Sequence, residues 1–178
     1  MNQTLLRNHF ELFGLPERFA LDPGALDAAY RKVQGVVHPD RFASATDNER
    51  RVAMQLAANA NEALRTLRDP ARRAGYICQL HDVPVEMHSN TSMPQSFLVA
   101  QMQWREQLEE ACEQRDPAAL DALRARVGAE RNALLERVAA ALDDERDFET
   151  AAALVRQLAF YDRLGGEIDA AEDRILGH

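Results

Sequence analysis

Asp22-Pro23-Gly24-Ala25-Leu26-Asp27-Ala28-Ala29-Tyr30-Arg31-Lys32-Val33-Gln34-Gly35-Val36-Val37-His38-Pro39-Asp40 decides the fold of this 178-residue chain. Asp22 can cap a helix whose first position is Pro23, a proline place that costs no backbone hydrogen bond. Leu26, Ala29, Tyr30, Val33 and Val37 then recur at three- and four-residue spacing, the stripe of an amphipathic helix. Arg31 and Lys32 lie off that stripe. Pro39 drives His38 out of the helical region, so the helix stops there and a loop carries the tripeptide. Ser44 to Asp47 offer a cap for another helix from about Asn48, with the stripe Val52, Leu56, Ala60, Ala63 or Leu64, and Leu67.

Working outward, the same grammar repeats. Phe10, Leu12, Phe13 and Leu15 predict a short first helix, closed by Gly14 and Pro16. Asp69-Pro70 ends one helix and begins a short one through Arg73 to Leu80. The stretch 81–94 breaks the periodicity with Pro84, Asn90, Thr91, Ser92 and Pro94 and reads as a linker. Three long helical patterns follow, at about Gln95–Gln114, Ala118–Leu142 and Phe148–Leu176, with Gly165-Gly166 as a weak point in the last. Short connections between three helices predict an antiparallel bundle. The expected fold is all-α, with residues 1–80 as one domain, 81–94 as linker and 95–178 as a three-helix bundle.

Composition narrows the chemistry. The net charge of −8 excludes a general nucleic-acid binder. Cys78 and Cys112 form no Cys-x-x-Cys pair, so no disulfide scaffold or zinc cluster is expected. No apolar run approaches the length of a membrane span. The start, Met1-Asn2-Gln3-Thr4, has no cationic segment leading into a long apolar one, so no secretory leader is expected. These features predict a cytoplasmic protein with reduced thiols.

Within the loop, Pro39 holds the backbone in one shape, and Asp40 presents a charge that can pair with an arginine of another protein. His38 adds a polar group beside it, and exposed Arg31 and Lys32 suit an acidic partner surface. The alternative is an ordinary turn between two helices with a solvated face. A metal-dependent hydrolase using His38, Asp40 and His81 or His88 is a further rival. Cys78, His81 and His88 match no standard zinc spacing. Glu109-Glu110 and Asp143-Asp144-Glu145 read as solvated charge in exposed positions or a turn.

Tyr30-Arg31-Lys32, His38-Pro39-Asp40-Arg41-Phe42, Asn61-Glu62-Ala63-Leu64, Leu67-Arg68-Asp69-Pro70, Arg73 and Tyr76 resemble, in order and spacing, the core of a J-domain. The resemblance implies a four-helix domain whose second helix and His-Pro-Asp loop dock on a DnaK-class ATPase and stimulate it, so that the chain itself is no enzyme and needs no cofactor. No Gly/Phe-rich stretch or Cys-rich zinc region follows. Instead Phe10-Glu11-Leu12-Phe13-Gly14-Leu15-Pro16, His38-Pro39-Asp40-Arg41-Phe42-Ala43-Ser44 and the acidic helical tail resemble the HscB family, co-chaperones of bacterial iron–sulfur cluster assembly. That resemblance implies two partners, the chaperone HscA and the scaffold IscU. A general J-domain co-chaperone for another client is the alternative.

The tail carries its own signal. At about 100° per residue, Phe97, Trp104, Leu108, Ala111 and Cys112 share one face of the first tail helix. Leu98, Val99 and Met102 fall roughly 100–200° away, where a bundle core does not need them. Phe160 similarly points away from Tyr161. Surplus apolar residues on a small bundle suggest a binding surface; the alternatives are a cover for the neighbouring domain or linker, and scattered exposed residues without a role. The HscB resemblance implies that Leu98, Val99, Met102 and Phe160 bind IscU, with Glu106 as a flanking acidic position. Gln103 departs from the family there, which is acidic at that place.

Overall fold

A computed structural model describes residues 8–37, 46–85 and 93–176. Among them there are seven α-helices and no strand: α1 His9–Phe13, α2 Pro23–Val37, α3 Asp47–Arg68, α4 Pro70–Leu80, α5 Gln95–Glu113, α6 Pro117–Ala139 and α7 Phe148–Leu176. A π-helical turn, Ala140–Glu145, extends α6.

Short polar residues set the boundaries. Asn8 and Glu11 form a reciprocal capping box on α1, and Gly14 closes it with φ 65°, a left-handed conformation that costs glycine little. The Asp22 carboxylate accepts from Gly24 N–H at 3.0 Å and Ala25 N–H at 3.1 Å, opening α2. Thr46 and Glu49 box the start of α3. Asp69 and Asp116 cap α4 and α6, each followed by proline at the first helical position.

The helices α1 to α4 form one packed unit and α5 to α7 a bundle whose main seam is α6 on α7. Leu120, Leu123, Val127, Leu134 and Val138 line that seam from α6, and Leu158, Leu164 and Ile168 from α7. Fully burying such side chains is worth about 1.5–3 kcal/mol each. Arg124 reinforces it, bonding Asp169 at 3.0 Å and also reaching Glu172. One core cluster runs from Phe10 through Leu67 and Ile77 to Val155 and Ile168, so the two halves share their interior. The segment read as a linker begins packed: Val83 N–H donates to Cys78 O at 3.0 Å, and Val83 and Val85 lie against the core.

The sequence expectation of a weak point at Gly165-Gly166 is corrected, because α7 passes straight through. Leu164 and Ile168 are buried on either side of the glycines. Their packing outweighs a helix penalty of about 1 kcal/mol per glycine.

Candidate functional site

Two separated regions carry the residues singled out by sequence. The first is α2. It is held against α3 by a polar triangle: the Tyr30 hydroxyl donates to Asn61 Oδ1 at 2.8 Å, and Gln34 Nε2 donates to the Tyr30 oxygen at 2.7 Å. This orientation leaves Arg31 and Lys32 exposed, on the side expected to meet a partner. Neither makes an ion pair among the described residues. His38, Pro39 and Asp40 lie outside the described residues, directly after the end of α2.

The second region is α5. Phe97 and Trp104 point into the bundle and are buried. The Trp104 ring is also covered by the Arg126 guanidinium, 4.9 Å from its centroid. Leu98, Val99 and Met102 stand on the other side, 38%, 49% and 64% exposed. Three large apolar side chains within five residues thus remain in water on one helix face. Gln103 and Glu106 are exposed beside them.

Phe160 differs from its expected place. It is 7% exposed, with its ring edge-to-face on Phe97 at 5.6 Å and on Tyr161 at 5.5 Å. Helical angles put it off the Tyr161 direction, but α5 lies across that side of α7 and covers it. Phe160 therefore supports the α5 patch from beneath rather than extending it as open surface.

Sequence reasoning missed a third region, where the halves meet. Asp143 was expected to be solvated. Its carboxylate is instead 7% exposed and accepts from Phe19 N–H at 2.7 Å and Ala20 N–H at 2.8 Å, with Arg18 Nε at 3.9 Å. Arg73 lies over the Phe19 ring at 4.9 Å and donates to Leu67 O. Burial draws the Arg73 guanidinium below its usual pKa, and the charges of Asp69 and Asp143 work against that shift. His81 sits 2.7 Å from Glu17 and stacks flat on Phe148, centroids 3.8 Å apart. Cys78 Sγ faces Phe148 O at 3.7 Å, and burial pushes its thiol pKa up to about 11. Only position in the fold distinguishes Asp143 from Asp144, which is exposed, so the sequence held no signal for it.

No group of three metal-ligating side chains occurs among the described residues, and His88 lies outside them. Cys78 and His81 are occupied in the contact between halves. An open cleft of about 1050 Å³ is lined by residues of α3, α4 and α7. Glu62, Asp69 and Asp162 face Arg72 and Arg163 there, so its charge is mixed. No helix among the described residues is long and apolar enough to cross a membrane.

Comparison with known proteins bears on both halves. The family model for the HSCB C-terminal oligomerisation domain matches residues 93–169. Over 172 residues the chain is 51% identical to the co-chaperone protein HscB homolog of Burkholderia multivorans, covering 97% of this chain and 98% of that one. Among solved structures, chaperone HscB from Vibrio cholerae superposes with a TM-score of 0.84 at 38% identity, covering 95% of this chain and 99% of the other. Human co-chaperone protein HscB gives 0.87 at 26% identity, covering 92% and 81%.

Proposed function

Because this chain belongs to the HscB family of co-chaperones, we propose that it is a J-type co-chaperone of iron–sulfur cluster assembly that brings the scaffold IscU to the DnaK-class chaperone HscA and stimulates that chaperone's ATP hydrolysis. The observation that carries this reading is the exposed trio Leu98, Val99 and Met102 on α5, standing apart from the basic face of α2. One chain with two such surfaces is suited to hold two partners at once.

The division of labour follows the predicted boundaries. Residues 1–80 present Arg31 and Lys32 from α2, and His38, Pro39 and Asp40 from the loop, to an acidic chaperone surface. Charge there speeds encounter and fixes register more than it adds affinity. Residues 81–94 connect, and 95–178 grip the scaffold. Leu98, Val99 and Met102 supply the apolar contact, Glu106 a flanking charge, and Phe160 the packed support. Covering what remains exposed of the three apolar side chains together is worth about 2–4 kcal/mol, more than tenfold in affinity. The chain performs no bond-breaking step and holds no cofactor in this scheme. It works in the cytoplasm, with no membrane or nucleic-acid partner.

Titration calorimetry with IscU tests the grip. Leu98→Ser with Met102→Ser weakens binding at least tenfold while the fold persists. Steady-state ATPase assays test the trigger: Asp40→Asn abolishes stimulation of HscA. Unchanged scaffold binding in the first variant, or full stimulation by the second, refutes the corresponding half. Stimulation without any binding of IscU points to a different client.

A further inference from the structure

The helix that ends just before His38-Pro39-Asp40 in sequence is rooted in the wall of the bundle. Phe19 and Ala20 donate their N–H groups to the two oxygens of one buried carboxylate, Asp143. Pro23 then opens α2, which runs for 15 residues. At 1.5 Å per residue its tip lies about 22 Å from that root. A swing of about 10° at the root displaces the tip by about 4 Å. Two adjacent N–H groups held by the two oxygens of one carboxylate fix direction as well as position at the root, and so resist such a swing.

The clamp adjoins the main contact between the halves, since His81 also pairs with Glu17 and Arg73 of α4 lies over the Phe19 ring. That contact is the packing of α4 on α7, where Gly75 approaches Val155 and His81 stacks on Phe148. That crossing resists separation, and contacts away from it resist rotation about it. Asp143 acts from a different element, on a different segment. The π-helical turn delivers it: Ala141 and Leu142 stay buried in the bundle while the next residue faces the 19–20 backbone. Such turns are rare and gather at functional positions. Arg146, in a left-handed conformation with φ 57°, ends the turn, and Asp147 N–H closes it onto Ala141 O at 2.9 Å.

We infer that Asp143 is a positioning residue that sets the tilt of the α1–α4 unit on the bundle, and with it the direction of α2 and the place of His38-Pro39-Asp40 relative to the client-gripping face of α5. The inference rests on the function proposed above. With both partners bound, a fixed root keeps the client at a high effective concentration beside the chaperone, and a loose one dilutes it.

The test uses the full chain with Asp143→Ala and Asp143→Asn, the latter keeping one acceptor oxygen. Spin labels at Val36→Cys and Leu176→Cys, both exposed, are read in a Cys112→Ser background. The expected result for Asp143→Ala is a distance distribution broadened by about 4 Å or more. Maximal stimulation of the chaperone without client is unchanged, while the half-saturating concentration of IscU in the coupled reaction rises about fivefold or more. Asp143→Asn falls between. An unbroadened distribution, or an unshifted half-saturation, overturns the inference. So does loss of client-free stimulation, which would mark Asp143 as merely structural. If the parent chain neither stimulates the chaperone nor binds the scaffold, the proposed function fails, and the distance distribution alone still decides the clamp.

Discussion

Replacing Phe160 by alanine separates a packed support from an open contact. Phe160 is 7% exposed and touches two aromatic rings, Phe97 and Tyr161, in edge-to-face geometry. Truncating a buried phenylalanine costs about 3–5 kcal/mol, and two aromatic partners place this site in the upper part of that range. Each kcal/mol moves the midpoint of a domain this size by about 2–4 °C, so the melting temperature drops by about 8–20 °C. Met102→Ala is the control. Its side chain is 64% exposed, and surface changes stay within about 0.5 kcal/mol, or about 2 °C. Thermal unfolding followed by circular dichroism reads both. A Phe160→Ala midpoint within about 2 °C of the parent refutes the packing assigned to this ring. The contrast matters for partner binding too. Under the proposed function, Met102→Ala weakens scaffold binding in a fully folded protein, whereas Phe160→Ala weakens it by loosening α5.

Three further outcomes follow from single features. Gly166→Ala stabilises by about 0.5–1 kcal/mol, and the melting temperature rises, because an added Cβ meets nothing within 4 Å and the residue is already helical. A thiol reagent at pH 8 labels half-exposed Cys112 first, and buried Cys78, with its pKa pushed up to about 11, reacts only after denaturant is added. A single fast phase accounting for both thiols contradicts that burial. Burial also lowers the pKa of His9, with Glu62 acting in the opposite direction. The unfolded chain therefore takes up that proton first, and stability falls as pH drops below about 6.5. Urea midpoints between pH 8 and 5 show a shallower fall in His9→Phe; an identical slope in both proteins removes His9 from the acid response.

The helices were legible because their boundaries are local. Gly14, Asp22-Pro23, Asp69-Pro70 and Asp116-Pro117 each satisfy or remove backbone donors within a few residues, so short-range chemistry settled where helices begin and end. The exposed α5 patch was legible for a related reason. Leu98, Val99 and Met102 are related to Phe97 by fixed helical angles, and the direction of Phe97 into the core settles theirs. Phe160 was misjudged because its exposure depends on where another helix crosses, which no angle within α7 contains.

The same reasoning explains why Asp143 was invisible. Its partners are 123 and 124 residues away in sequence. Its neighbour Asp144, identical in kind, faces water. What separates the two is a single wide turn at the end of α6, which changes the direction of a carboxylate without changing any hydrophobic period. A pattern of periods reports the elements and the faces they bury. It says little of how two packed halves are held in register, because that depends on a few polar contacts between distant segments. In this chain those contacts are Asp143 with Phe19 and Ala20, and His81 with Glu17 and Phe148. If the two surfaces must act on one client together, the residues that hold them in register matter to function as much as the surfaces do.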